Sequence, residues 1–243
     1  MNRFIAAYLA NSKTGVGRLD QVPDRFWCQC RTFLQVQTVE QARAALGEGA
    51  DVIVAQGTEA GGHGGRRATL PLVPAVVDIA GAVPVVAAGG IADGRGLAAA
   101  LMLGAAGVLC GTAFFASDEA LSPEGAKAVA TAASGDDTLR SSVFDIARGL
   151  DWPDGWNIRT LRNGFSDRWA GDIDGLRGEG AAARQRYAEA AARGDFDTAA
   201  VIVGEGVGLV ARREPAGDIL ARMVGEAEAL LRSAPAFVEA ARR

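Results

Sequence analysis

The chain alternates short uninterrupted apolar runs with longer stretches whose apolar residues recur at helical spacing. Phe33 to Val36 is a candidate strand. Thr38 and Gln41 then have the spacing of a capping box, and Val39, Ala42, Ala45 and Leu46 form a helical stripe that ends at Gly47 and Gly49. Val52-Ile53-Val54-Ala55 is a β-branched run suited to a parallel strand buried on both faces. The pattern recurs with a helix over Pro71 to Ala80 closed by Gly81, a strand at Pro84 to Ala87, a helix capped by Asp93 and running to Leu103, and a strand at Gly107 to Cys110. GADVIVAQGT at 49–58 and GAAGVLCGT at 104–112 form a weak internal echo. Repeated strand–helix units of this kind predict an α/β fold with a parallel sheet and right-handed crossovers. Beyond residue 116 the pattern predicts a mostly helical region, with helices over Pro123–Ala133, Gly178–Arg193 and Asp218–Ser233. Residues 149–176, rich in glycine and holding Trp152, Trp156 and Trp169, read as an ordered loop region. The expected organisation is an atypical segment 1–32, βα units over 33–116, and a helical part over 117–243.

A length of 243 residues suits one α/β domain, and 49% hydrophobic against 22% charged residues suits a packed core. The net charge of −4 argues against a nucleic-acid partner, which would require a basic surface. No apolar run reaches the roughly 18 residues of a membrane span. Met1 to Leu9 lacks the cleavage pattern of a signal peptide. Three cysteines, Cys28, Cys30 and Cys110, do not make a disulfide framework, so a cytoplasmic location is expected. Cys28 and Cys30 have no companion ligands that would complete a metal site, and no metal is expected.

The 32 glycines are an excess over ordinary usage, and they cluster after the predicted strands. Gln56 to Gly65 follows the second strand, Gly89-Gly90 the third, and Gly111-Thr112 the fourth. In a parallel sheet these segments share one face, where backbone N–H groups and helix starts can approach a phosphate. His63 is the only histidine and sits in the first of these segments, read as a flexible polar loop. There it could bind an anion or take a proton, or be an incidental loop residue. Gln56 closes a buried strand, and its amide needs partners from a ligand or from a neighbouring loop. Glu59 could pair with Arg66 or Arg67, but a solvated carboxylate is the simpler reading. Cys110 reads as a small core residue.

Taken together and in order, QGTEAGGHGG, PVVAAGGIADGRGL and GVLCGTAF resemble the nitronate monooxygenase family, also described as 2-nitropropane dioxygenase-like proteins. Asp137-Thr138, Phe144-Asp145, Arg159 to Asn163 and Gly204 to Leu209 extend the resemblance, which spans roughly 33–232. It implies a TIM-barrel-type fold that binds flavin mononucleotide (FMN). Gln56 and Gly61 would contact the nucleotide, Gly89 and Gly90 with Leu109, Cys110, Gly111 and Thr112 would hold the phosphate, and His63 would be the active-site side chain. The implied reaction is oxidation of a nitronate or nitroalkane by molecular oxygen to a carbonyl compound and nitrite.

The sequence departs from the family at its N-terminal side. Thr14 to Cys30 does not resemble the family's first strands, its early proline–methionine segment is not found, and the stretch between His63 and Gly90 is short. The chain is expected to hold the C-terminal half of a barrel, with open sheet edges that a second copy or a missing N-terminal half would cover. Two other readings remain open at this point. One is an FMN-dependent enoyl reductase of the same superfamily. The other is a half-barrel that is not an enzyme by itself.

Overall fold

A computed structural model of the chain describes residues 31–240. Four parallel strands build the main sheet, β1 (Phe33–Val36), β2 (Val52–Gln56), β4 (Val85–Ala88) and β5 (Gly107–Leu109), hydrogen-bonded in the order β1-β2-β4-β5. Helices α1 (Val39–Gly47), α2 (Thr69–Ala80) and α3 (Gly94–Met102) connect them. These are parallel βα units of the TIM-barrel type, as the alternation of runs and stripes predicts. Strand alternation decides the faces. Leu34, Val36, Ile53, Ala55, Val85 and Ala87 pack against the helices in one buried cluster with Ala42, Leu72, Val73 and Val76. Gln35, Val54, Gln56 and Ala88 take the opposite face. On that face Gln35 pairs in register with Val54 and Gln56 with Ala88.

Local chemistry fixes the helix starts. Thr38 caps α1 by accepting from the Gln41 N–H, and the Gln41 side chain accepts from the N–H of Gln37, one residue before the cap. Asp93 caps α3 by accepting from Arg95 and Gly96. Helix α8 (Ala216–Ala240) lies along α3 and sends Ile219 and Met223 into the main core. Its Glu226 also accepts from the Gly94 N–H at 3.0 Å.

The region after residue 116 contains two strands that the pattern does not announce. β6 (Thr138–Ser141) and β7 (Asn157–Leu161) pair antiparallel with each other, and a three-residue strand β3 (Gly62–Gly64) joins them in the order β3-β7-β6. The sequence hides them because TLRS and NIRTL carry arginines at positions that turn out to be half-buried or buried, and Gly-His-Gly has no strand propensity. Residues 149–176 therefore do not form a loop region, since they hold β7 and α6 (Gly164–Trp169). The remaining helices are α4 (Glu124–Ala132), α5 (Val143–Arg148) and α7 (Ile173–Arg193). Val143, Trp169, Leu176 and Ala183 make a small core beneath this second sheet. Residues 1–30, including Cys28 and Cys30, lie outside the described residues. Among the described residues no helix is long and apolar enough to cross a membrane, and no group of three or more His, Cys, Asp or Glu side chains gathers.

The contact of α8 with α3 leaves no room for a side chain at Gly94. A Cβ there would lie 2.6 Å from the Ala227 nitrogen and 2.7 Å from the Met223 carbonyl oxygen. Gly94→Ala should therefore destabilise the chain by about 1–3 kcal/mol through overpacking, read as a lower urea midpoint.

Candidate functional site

The loops that leave the C-terminal ends of β2, β4 and β5 meet at one rim of the main sheet and enclose a cavity of about 370 Å³. Gln56, Gly61, His63, Gly89, Gly90, Leu109, Cys110, Gly111 and Thr112 all line it, so every candidate residue named from the sequence faces the same space. Gln35, Ile91, Phe115 and Ile202 add to the walls. Leu109 and Ile202 are exposed apolar residues, 47% and 39% accessible, and they give the cavity a hydrophobic side.

Gln56 ends β2 with its side chain buried on the polar face. Its Oε1 accepts from Gln35 Nε2 at 2.9 Å and also from Gln37 Nε2. The structural partner is thus two glutamines of the neighbouring strand end. Their grip fixes the amide so that its NH₂ is the end left for the cavity.

Glycine serves two purposes here. At Gly61 a Cβ would lie 2.7 Å from the Gly204 nitrogen, so the loop from β2 is glycine-rich partly because it packs against residues 203–204. Gly89 and Gly90 have φ of 106° and 72°, a left-handed turn that keeps the backbone flush with the cavity wall. Thr112 opens a short 3₁₀ turn, and its hydroxyl accepts from the Gly204 N–H at 2.8 Å, leaving the hydroxyl proton free to donate. Glu59 is not solvated, nor is it paired with Arg66 or Arg67. Its carboxylate accepts from the N–H and hydroxyl of Thr69 and anchors the start of α2.

Two arginines shape the loop: Arg140, which the sequence reading did not single out, and Arg159, which it named only as the start of a family-like stretch. The Arg140 guanidinium donates to the carbonyls of Thr58, Ala60, Gly62, Gly64 and Asn157. Arg159 donates to Thr58 and to the Thr138 hydroxyl and pairs with Glu205 at 2.8 Å. Burial, with Arg159's charge beside it, pushes the Arg140 guanidinium down to about 10, which leaves it charged at neutral pH.

His63 sits on β3 opposite Ile158 of β7, not in a flexible loop. Its side chain is 12% exposed, and Nε2 lies 2.8 Å from Oδ1 of Asp145, whose side chain is 4% exposed. The Trp152 ring stacks on the imidazole with centroids 3.6 Å apart and planes within 11°. Pairing with a buried carboxylate beneath an aromatic cover holds the imidazole in one orientation at the cavity's edge. Cys110 packs against the main core and borders the cavity, and burial pushes its thiol up to about 11.

Replacing Arg140 with methionine would strand the carbonyls of the 58–64 turn. Arg140→Met should cost at least ~3 kcal/mol in urea unfolding, with Arg140→Lys recovering part of it. The raised Cys110 pKa keeps the neutral thiol below that value. In a Cys28→Ser, Cys30→Ser background, alkylation of Cys110 should be slow at pH 7 and speed up about tenfold per pH unit as the thiolate fraction grows. A fast reaction at neutral pH would contradict this.

Residues 15–226 match the sequence profile of the family described as nitronate monooxygenase. The match begins upstream of the 33–232 span marked by the motifs, inside the segment that had looked atypical. A nitronate monooxygenase of Neurospora crassa is 39% identical over 218 residues, covering 84% of this chain and 56% of the relative. FabK from Thermotoga maritima shares the fold with a TM-score of 0.72 at 30% identity, over 86% of this chain and 64% of that one. A nitroalkane oxidase from Streptomyces ansochromogenes gives 0.68 at 32% identity, over 85% and 59%. The chain thus spans less than two thirds of the length of each of these proteins. Since the family profile covers most of the sequence, including all three glycine-bearing loops and His63, the chain belongs to the nitronate monooxygenase family.

Proposed function

We propose that the chain catalyses FMN-dependent oxidation of alkyl nitronates by molecular oxygen, releasing a carbonyl compound and nitrite. The observation that carries this reading is the convergence of the three glycine-bearing loops and the sole histidine on one cavity. That position, beyond the C-terminal ends of parallel strands, is where folds of this type build their sites.

The residues fit a flavin nucleotide. The positive-φ turn at Gly89-Gly90 and the Gly111-Thr112 turn offer backbone N–H groups and a hydroxyl proton to a phosphate. No lysine or arginine lines the cavity among the described residues, so the backbone would carry the phosphate's charge. The oriented NH₂ of Gln56 suits an acceptor on the ring system, and Leu109 and Ile202 offer it an apolar side. The volume of about 370 Å³ is in the range of small-molecule sites, roughly 300–1,000 Å³. FMN, when bound, would supply the electron acceptor for the nitronate carbon. His63 would face the nitro group, donating to its oxygen when protonated or accepting the α-proton of a nitroalkane when neutral.

The main sheet has four strands among the described residues, against eight in a closed barrel. We infer that the described residues supply the phosphate end of the site and only part of the wall against the isoalloxazine ring. The rest of that wall would come from residues outside those described or from a second copy. The expected partners are a nitronate or nitroalkane and oxygen, and the expected setting is the cytoplasm.

Titration of the purified chain with FMN should give binding weaker than micromolar. Tight binding with a resolved flavin spectrum would mean that the ring wall is complete. With FMN in excess, an alkyl nitronate should drive oxygen uptake and nitrite release without added nicotinamide. NADH oxidation with an enoyl thioester instead would favour the reductase reading. His63→Asn should abolish nitrite release and leave FMN affinity nearly unchanged. Full activity in that variant would remove the histidine from the mechanism.

A further inference from the structure

Asp145 is the one acidic side chain bonded to the candidate active-site residue, and the reaction outlined above makes no use of it. It projects from the first turn of α5. Its Oδ1 meets His63 Nε2 at 2.8 Å, while its Oδ2 is buried with no hydrogen-bond partner. A buried carboxylate oxygen without a partner is costly, and a purely structural acid would be expected to satisfy both oxygens. The imidazole is constrained further by the Trp152 ring lying flat on it. Nδ1 has no hydrogen-bond partner among the described residues, and His63 lines the cavity.

We propose that Asp145 is a positioning residue that fixes the working atom of His63: the carboxylate holds the proton on Nε2, and Nδ1 is the nitrogen presented to substrate in the cavity. A carboxylate can only accept, so the 2.8 Å contact requires a proton on Nε2. The neutral ring then has its single lone pair on Nδ1. When a nitroalkane is the substrate, the α-carbon–hydrogen bond breaks, its proton goes to Nδ1, and the electron pair spreads onto the nitro oxygens to give the nitronate. The imidazolium that results has one N–H on Asp145 and the other directed at the nitro group. Trp152 keeps the ring in this plane and covers one of its faces. Because the role of Nδ1 rests on His63 being the working side chain, the test separates ring geometry from turnover.

A single histidine makes the measurement direct. The chain labelled with ¹⁵N-histidine gives one imidazole, and its long-range proton–nitrogen spectrum reports which nitrogen carries the proton. In the flavin-free chain with a neutral ring, the proton should sit on Nε2 and exchange slowly with water. Asp145→Asn and Asp145→Ala should lose the slow exchange and mix the tautomers. A proton on Nδ1 in the native chain would overturn the proposal whether or not either variant folds. So would unchanged ring signals in a folded Asp145→Asn chain. With FMN and nitroalkane, Asp145→Asn should lower kcat on the order of 10- to 100-fold with KM nearly constant, a loss within the range of general acid–base contributions. It should have no further effect in a His63→Asn background. If the native chain gives the expected spectrum but releases no nitrite, the assigned function fails and the dyad stands. If nitrite is released but the tautomer is wrong, the dyad fails and the function stands.

Discussion

The guanidinium of Arg140 is the constraint on which the rest of the site depends. The chain leaves β2 at Gln56 and must reverse into β3 within a few residues. It does so through a glycine-rich turn. Carbonyls from Thr58, Ala60, Gly62 and Gly64 converge, joined by that of Asn157 from β7. Unpaired, this concentration of buried acceptors would cost several times what one ordinary hydrogen bond contributes. Arginine answers with a planar fork of donors that keeps its charge despite burial. Arg159 repeats the device on the Thr58 carbonyl, and Glu205 offsets its charge from the segment that packs on Gly90 and Gly61. The second sheet thus holds the loop of the first, and β3 is a strand only because β7 and Arg140 make it one.

This arrangement explains what could be read from the sequence and what could not. The βα alternation was legible because buried parallel strands write themselves as β-branched runs, and because Thr38 and Asp93 carry their caps in the side chain. The cavity was legible through its glycines. The second sheet was not, because its strands are polar, short and paired across long sequence separations, with His63 opposite Ile158 and Gly62 opposite Arg159. Periodicity reports burial of apolar side chains, and these strands are fixed by cation–carbonyl bonds instead. The same blindness turned Glu59 into a solvated carboxylate and His63 into a loop residue. Neither Thr69 at the start of α2 nor Asp145 on α5 is near them in sequence.

The glycines also need a divided reading. Clustering after strands suggests close approach of a ligand, and the turn at Gly89-Gly90 fits that. Yet Gly61 is set first by the backbone of residues 203–204, which would collide with any Cβ. Loop-to-loop packing and ligand approach make the same demand for small residues, so a glycine-rich motif overstates how much of itself touches a ligand. Gly111, where a Cβ would meet open space, is the better mark of a surface kept clear.

A half-barrel would ordinarily be a poor host for chemistry, because parallel strands need both faces covered and both edges closed. Here the geometry around His63 does not rest on barrel closure. The histidine, its carboxylate and its aromatic cover come from β3, α5 and the segment before β7, all tied together by the antiparallel sheet and by the small core of Val143, Trp169 and Leu176. The glycine turns on the other side of the cavity follow β4 and β5, which pair directly with each other. What closure would add is a further wall for the cavity and exclusion of water from it. Orientation of the histidine and completeness of the cavity wall are therefore separable properties in this fold, carried by different sheets.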